Sequence, residues 1–225
     1  MADRPQVAVF GSSEPAENDL LYRQARETGR LLAERGYTVL TGGYGGVMEG
    51  ASRGAVEAGG HTVGVLCDIF SRRTAILYVQ ETIPTSNLLE RTSILIEKAS
   101  ACIILHGKAG TLAELTFTWA LHRAGCLPDR PVVLLGDGWR GFLETLSREG
   151  MLDPRQQEIT AGRYAGGSPA LSQIELLDPG SKGIERSMTG VGPAHAAEVM
   201  ASRRNPEDAP VVAFLYETYN LPEGA

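Results

Sequence analysis

Short runs rich in Val, Ile and Leu alternate along much of this chain with segments in which apolar residues recur at helical spacing. The runs span residues 7–10, 38–40, 62–66, 77–79, 101–105 and 132–135. Each run has the length of a buried strand, and strands that alternate with helices are typical of βαβ units. We therefore predict an α/β fold that is doubly wound, with a mostly parallel sheet and helices on both faces.

The segments between the runs predict helices that each direct one buried stripe at the sheet. The four stripes comprise Leu21, Ala25, Thr28 and Leu32; Met48, Ala51 and Ala55; Leu88, Thr92, Leu95 and Ala99; and Leu112, Leu115, Thr116 and Trp119. Gly36 and Gly59 follow the first two stripes, where a glycine commonly ends a helix.

The length of the chain, 225 residues with 43% hydrophobic content, suits one domain with a substantial core, so we predict a single domain over 1–225. The alternation weakens after Pro154, although residues 194–203 have a helical pattern and residues 211–216 suit a strand. We interpret residues 155–225 as a C-terminal extension of the same domain.

The formal net charge of -6 disfavours a nucleic-acid partner and an anionic membrane surface, because both would repel the chain. No apolar run approaches the roughly 20 residues of a membrane span, and the N-terminus lacks a charged and then apolar leader. We expect no nucleic-acid partner, no membrane partner and a cytoplasmic location. Because the overall charge repels anions, any phosphate site on this chain has to be formed by a local group of residues.

The residues that commonly bind metals lack ligand spacing. The three cysteines form no Cys-x-x-Cys pair, and no two of the four histidines stand at metal-ligand spacing. We predict neither a metal nor another bound cofactor. The chain also lacks Gly-x-Ser-x-Gly, the Walker motif and a clean Gly-x-Gly-x-x-Gly, which disfavours a serine hydrolase, a P-loop protein and a dinucleotide dehydrogenase.

Three predicted strands end in turns rich in small residues, at 11–13, 41–46 and 107–111. Because the carboxyl ends of parallel strands share one edge of a sheet, these turns can converge. Glycine lets the backbone approach an anion closely, and free amides at a helix start favour a phosphate. One such turn is explained equally well as a tight turn, but the three together favour a phosphate or nucleotide site. The candidate binding residues are Gly11, Ser12, Gly42, Gly43, Gly45, Gly107, Lys108, Gly110 and Thr111.

Arg91 and Glu114 are the candidate catalytic residues. Thr111 and Glu114 also have the Thr-x-x-Glu spacing of a capping box, and from spacing alone the cap is the stronger interpretation. The apolar stripe of that helix directs Glu114 away from the sheet, toward the open edge or solvent. Arg91 lies at the border of its own stripe, which fits a partly buried guanidinium and also fits an arginine that extends to the surface.

At these residues the sequence resembles the Lonely Guy family and the wider group that contains the molybdenum-cofactor carrier proteins. The family's hallmark is Pro-Gly-Gly-x-Gly-Thr-x-x-Glu, and residues 106–114 read His-Gly-Lys-Ala-Gly-Thr-Leu-Ala-Glu. Residues 9–13 and 42–50 are similar to the family's first and second glycine turns, and residues 88–92 include Arg91 where the family has its arginine.

The resemblance covers residues 6–150 and implies a Rossmann-like fold, a homodimer or higher homo-oligomer, and a phosphoribohydrolase. Such an enzyme splits a nucleoside 5'-monophosphate, here most readily a purine one, into free base and ribose 5-phosphate. Carried over by position, Gly107, Gly110 and Thr111 would hold the phosphate, and Arg91 and Glu114 would act at the ribose. A carboxylate there would stabilise the positive charge that develops on the sugar, and Arg91 would keep Glu114 ionised.

Three residues depart from the family pattern. Lys108 replaces the second glycine of the hallmark, His106 replaces its proline, and Thr92 stands where cytokinin-activating members have lysine. The side chain of Lys108 either narrows the turn or supplies the charge missing at position 92. Either effect bears on whether the usual cytokinin nucleotide is the substrate.

Two hypotheses of different classes follow from this pattern. The first is a nucleoside 5'-monophosphate phosphoribohydrolase that depends on Glu114. The alternative is a non-catalytic protein that binds a phosphorylated small molecule, either as a carrier of a pterin-type cofactor or as a nucleotide sensor. In the alternative, Glu114 would be only a helix cap.

Overall fold

The sheet has seven strands, all parallel, in a computed structural model that describes residues 4–70, 75–128, 130–136, 138–152, 156 and 160–163. The strands are β1 (Gln6–Phe10), β2 (Thr38–Thr41), β3 (His61–Cys67), β4 (Glu81–Thr85), β5 (Ala99–Leu105), β6 (Val132–Leu135) and β7 (Thr160–Arg163). The helices of this part of the chain are α1 (Leu20–Glu34), α2 (Val47–Glu57), α3 (Leu88–Lys98), α4 (Ala109–Arg123) and α5 (Gly138–Arg148).

The strand order is β4-β3-β2-β1-β5-β6-β7. The chain adds β2, β3 and β4 on one side of β1 and then crosses to the other side of β1 to form β5. The order therefore reverses between β1 and β5, and ligands of open α/β sheets bind at the carboxyl ends of the strands at such a reversal.

Both faces of the sheet are covered. Ala8 and Phe10 of β1 belong to a buried cluster on one face that includes residues of the three later helices: Leu95, Leu115 and Trp139. Val7 and Val9 alternate with them along the strand and point to the opposite face, where α2 contacts β1 and α1 contacts β2. The predicted α/β class, with a parallel sheet and helices on both faces, is confirmed.

The predicted strands agree with the structure at five of six places. The runs 7–10, 38–40, 62–66 and 101–105 each lie within an observed strand, and 132–135 coincides with β6. The strand predicted at 77–79 is wrong, because Leu77 lies in a turn and its side chain is 90% exposed. The fourth strand is β4, which pairs only with β3 and has largely exposed side chains, so it lacks an apolar run.

The predicted stripe is confirmed for α2, for three of its four residues on α1, and only in part for α3. Ala25, Thr28 and Leu32 are buried on α1, and all three predicted residues of α2 are buried. On α3, Leu88 is 44% exposed, Thr92 is half-buried and Ala99 already belongs to β5. The residues that α3 buries are Arg91, Leu95 and Ile96.

The predicted C-terminal extension is described only at Gln156 and in β7. The helix predicted at 194–203 and the strand predicted at 211–216 lie outside the described residues, so their assignment to the same domain stays a prediction. In the part of the chain that the structure describes, no helix is long and apolar enough to cross a membrane.

Candidate active site

Hydrogen bonds join the turns after β1 and β5 and the start of α2. The Ser12 amide donates to the His106 carbonyl (3.2 Å), and the Val47 amide donates to the Ser12 carbonyl (2.9 Å). Val47 begins α2, directly after the second glycine turn. The three glycine turns therefore converge at the edge of the sheet where the strand order reverses.

A cleft of about 250 Å³ lies between these turns and α3. Its wall includes eight of the predicted site residues: Gly11, Ser12, Gly42, Arg91, Lys108, Gly110, Thr111 and Glu114. It also includes residues that were not among the predicted site residues: Val9, Phe10, Ser13, Glu14, Tyr44, Met48 and Leu88.

Three predicted binding residues support the turns from outside the cleft wall. Gly43 packs against Leu66 of β3, and Gly45 lies near the Ser13 carbonyl. Gly107 packs against Thr111, because a Cβ at Gly107 would lie 2.1 Å from Thr111 Oγ1. These glycines allow the turns to pack closely.

Arg91 is held in place by the cap of its own helix and by contacts to β3 and to the second glycine turn. Asn87 caps α3 by accepting a hydrogen bond from the Glu90 amide (2.9 Å), which sets the start of the helix that carries Arg91. Arg91 Nε donates to the Val65 carbonyl of β3 (2.9 Å), and the guanidinium carbon lies 5.7 Å from the ring centroid of Tyr44. The side chain is buried and cannot extend to the surface.

Gly42 makes room for this guanidinium. A Cβ at Gly42 would lie 1.6 Å from Arg91 Nη2 and 2.7 Å from Met48 Sδ. Any side chain at position 42 would therefore displace Arg91 from the cleft. Gly42 thus leaves space for Arg91, a role that the turn motif alone did not indicate.

The start of α4 differs from the predicted capping box. Lys108 is the N-cap residue, and the Leu112 amide donates to its carbonyl (3.0 Å), so Thr111 lies within the first turn of the helix. The side chain of Lys108 makes no capping hydrogen bond. The interpretation of Thr111 and Glu114 as a cap is therefore wrong, and the helix presents amides that have no intrahelical partner.

Glu114 faces the cleft at the open edge of the sheet, which is one of its two predicted orientations, and not the surrounding solvent. The buried residues of α4 are Thr111, Leu115, Thr118, Trp119 and His122, whereas the predicted Thr116 is exposed. The buried face is thus rotated from the predicted stripe, and Glu114 lies one turn from both Thr111 and Thr118. The side chain of Glu114 is only 14% exposed.

Arg91 and Glu114 form what we call the inner pair. Arg91 Nη1 lies 3.8 Å from Glu114 Oε1, which is longer than a direct hydrogen bond. Burial raises the pKa of Glu114 to about 7, and the positive charge of Arg91 lowers it by less than burial raises it. Arg91 therefore favours the ionised form of Glu114, as expected, but the loss of solvent outweighs this attraction.

Lys108 and Glu14 form what we call the outer pair. Lys108 Nζ donates to Glu14 Oε1 (2.7 Å), and the two side chains are 73% and 63% exposed. The Glu14 amide donates to Ser12 Oγ (3.2 Å), which fixes the turn that carries Glu14. The Ser12 amide is bonded to His106, so Ser12 can offer a ligand its hydroxyl but not its amide.

His106 lies beside the cleft wall. Its ring centroid is 6.4 Å from that of Trp139 on α5, and Gly138 packs against its ring. Within the described residues, no group of three or more His, Cys, Asp and Glu side chains could hold a metal ion.

Some of the site residues that were not predicted lie close to predicted ones in the sequence. Tyr44 lies inside the second glycine turn and Met48 lies two residues after it, so both belong to the segment 42–50 that the sequence analysis had identified. Glu14 follows the first turn directly, but its partner Lys108 is 94 positions away, and no local pattern joins the two.

Known proteins are similar to this chain in sequence and in fold. The family model described as the SLOG cluster4 family matches residues 4–149. The cytokinin riboside 5'-monophosphate phosphoribohydrolase of Mycobacterium tuberculosis is 35% identical over 159 residues, which cover 68% of this chain and 84% of the relative.

Solved structures of molybdenum cofactor proteins are also similar. The molybdenum cofactor binding protein of Rippkaea orientalis is 26% identical, with a TM-score of 0.55, and the match covers 71% of this chain and 95% of that chain. The molybdenum cofactor carrier protein of Chlamydomonas reinhardtii is 26% identical, with a TM-score of 0.55, and the match covers 71% of this chain and 89% of that chain. The predicted resemblance to both groups is confirmed.

Proposed function

This chain belongs to the SLOG cluster4 family, and on that premise we propose that it is a nucleoside 5'-monophosphate phosphoribohydrolase. It would split its substrate into free base and ribose 5-phosphate. The observation that carries the proposal is the inner pair, a nearly buried carboxylate and guanidinium that face a cleft formed by glycine turns. The relative from Mycobacterium tuberculosis, named for such an activity, supports the same reaction.

The phosphate group would bind at the start of α4. The free amides of the first helical turn and the positive end of the helix dipole favour an anion there. Gly110 is exposed on the cleft wall, and a Cβ at that position would meet no atom within 4 Å, so the backbone is open to a ligand. Thr111 and Ser12 can add hydroxyl groups, and Lys108 can add a positive charge.

Glu114 would act at the anomeric carbon of the ribose. As the bond from this carbon to the base breaks, positive charge develops on the sugar, and a carboxylate in a site of low dielectric stabilises it strongly. A water oxygen forms the new bond to the carbon, while one proton of the water passes to Glu114 and then to the departing base. A pKa of about 7 suits a group that accepts and returns a proton near neutral pH.

Arg91 would position the ribose and limit the rise of the pKa of Glu114. Its Nε is bonded to Val65, and this anchor orients the rest of the guanidinium toward the cleft. Hydrogen bonds from its terminal nitrogens to ribose hydroxyls or to the phosphate would hold the anomeric carbon near Glu114.

Product analysis tests the proposed reaction. The wild-type protein is incubated with a panel of purine and pyrimidine nucleoside 5'-monophosphates and with the matching nucleosides, and products are separated by chromatography. We expect equal amounts of free base and ribose 5-phosphate from at least one monophosphate, and none from the nucleosides. Saturable binding of ribose 5-phosphate with no release of base across the panel would contradict the proposal.

The likeness to the two molybdenum cofactor proteins favours a second candidate function, a carrier of a phosphorylated pterin-type cofactor. The same turns would hold the phosphate, and Glu114 would have no chemical role. Binding of such a cofactor without turnover, unchanged in Glu114→Gln, would support the carrier.

The assembly and the location of the protein stay predictions. A homodimer or higher homo-oligomer is expected from the family, and light scattering coupled to size-exclusion chromatography measures it. A cytoplasmic location is expected from the sequence, and fractionation of cells that produce the protein tests it.

A further inference from the structure

The outer pair joins two turns on the exposed side of the cleft. Lys108 belongs to the turn after β5 and Glu14 to the turn after β1, and both side chains line the cleft. Lys108 has an ordinary extended backbone with φ of -104°. The backbone at position 108 therefore does not require the glycine of the family hallmark, and what the lysine adds is its charge.

The outer pair is easily broken. An ion pair between exposed side chains contributes little to stability, because water solvates both charges well. The lysine side chain is flexible and its ammonium has three donors, so it can change partner without moving the backbone. A phosphate dianion at the adjacent helix start attracts an ammonium more strongly than one carboxylate does.

We infer that the outer pair is an exchangeable ion pair. Glu14 holds Lys108 when the cleft is empty, and the phosphate group of the ligand takes Lys108 from Glu14. Lys108 then contacts the ligand, and Glu14 lowers the affinity of the cleft for anions, because only an anion that attracts Lys108 more strongly than a carboxylate displaces it. A doubly charged phosphate gains more from contact with Lys108 than a singly charged group of the same shape does.

This inference rests on the proposed function only in that a phosphorylated ribose binds in the cleft. Its test uses isothermal titration calorimetry at fixed ionic strength with ribose 5-phosphate and with ribose 5-sulfate, which carries one charge fewer. We expect Lys108→Met to weaken binding of ribose 5-phosphate by about fivefold to thirtyfold. We expect Glu14→Gln to tighten binding of ribose 5-phosphate by about twofold to fivefold, because the ligand no longer has to displace a carboxylate from Lys108, and to tighten binding of the sulfate by no more than that.

Matched controls lie at the carboxyl end of α3. Lys98 and Glu97 are exposed residues of the same types, beside the first residue of β5 and so at the opposite edge of the sheet from the cleft. Lys98→Met and Glu97→Gln should leave both affinities within about twofold of wild type, because each removes one charge outside the site.

Three results would overturn the exchange. They are wild-type protein that does not bind ribose 5-phosphate, Lys108→Met that binds it as tightly as wild type, and Glu14→Gln that binds it no more tightly than wild type. Binding is measured without turnover, so the two proposals fail separately. If the variants change binding as expected but the protein releases no base, only the proposed phosphoribohydrolase activity is contradicted.

Discussion

Two ion pairs line the same cleft. The pair with the shorter distance is the more exposed one, and the pair with the longer distance is the more buried one. The outer pair is the closer one, at 2.7 Å, yet both of its side chains are mostly in solvent. The inner pair is separated by 3.8 Å, yet its arginine and glutamate are 9% and 14% exposed. Solvent screens the outer charges, whereas the inner charges lie where electrostatic interactions are strong. Burial, more than distance, decides which pair can stabilise a developing charge.

Removal of the inner carboxylate should have the largest effect. Glu114→Gln keeps the shape of the side chain but loses the charge that stabilises the sugar, so we expect kcat/KM to fall by at least about 1000-fold. Release of ribose 5-phosphate measures the loss, and Glu97→Gln serves as the control for a lost surface carboxylate. A Glu114→Gln enzyme that keeps a tenth or more of wild-type activity would remove Glu114 from the chemistry.

Removal of the inner cation should have the second largest effect. Arg91→Met leaves the Val65 carbonyl without its donor and raises the pKa of Glu114 further, so we expect kcat/KM at neutral pH to fall by about 100-fold. Arg91→Lys keeps the charge but loses the fixed hydrogen bond, and its activity should lie between that of wild type and that of Arg91→Met. Equal activity of wild type and Arg91→Met would show that the guanidinium positions nothing.

The burial of Glu114 should also appear in stability. Its pKa is raised in the folded state from 4.5 to about 7, so the folded protein binds this proton more tightly than the unfolded chain does. The contribution of Glu114 to stability therefore falls as pH rises through that interval. Urea unfolding should find Glu114→Gln more stable than wild type by about 2 kcal/mol near pH 8, and the gain should vanish near pH 4. A difference that does not depend on pH would contradict the shifted pKa.

The outer pair should have the smallest effect on stability. Glu14→Gln and Lys108→Met should each change the free energy of unfolding by less than about 1 kcal/mol, because both partners are solvated when apart. Urea unfolding at low and high salt measures the change. A loss of more than about 2 kcal/mol would make the outer pair a structural element and not an exchangeable one.

The sequence was sufficient to predict the parts of the fold that the hydrophobic effect organises. The strands at the centre of the sheet are buried on both faces and read as apolar runs, as in β1 and β6. The edge strand β4 was missed because pairing with β3 and the hydrogen bond from Thr85 Oγ1 to the Leu66 carbonyl (2.7 Å) hold it, without an apolar run.

The candidate site was predicted in composition but not in arrangement. The stripe of α3 was misplaced because Arg91 is buried, and a hydrophobic pattern does not recognise a charged residue whose burial depends on Val65 and Glu114. Similarly, the spacing of Thr111 and Glu114 favoured a cap although it also fits a cleft wall, and only the observed start of α4 at Ala109 separates the two.

Local sequence patterns could not predict the outer pair. Lys108 was recognised as a departure from the family hallmark, but its partner depends on the hydrogen bond between Ser12 and His106 that joins the turns after β1 and β5. This contact exists only once the sheet has formed. The family hallmark therefore identified Lys108, but no sequence pattern could identify Glu14 as its partner.

The pH dependence of catalysis tests the central claim most directly, namely that the buried Glu114 carboxylate performs the reaction in this cleft. We predict that kcat/KM of the wild-type protein rises with pH to a plateau, with an apparent pKa of about 7, because the ionised form of Glu114 is required. The residual activity of Glu114→Gln should lack this rise. A wild-type profile that is flat between about pH 6 and 8, or that falls as pH increases, would contradict the account.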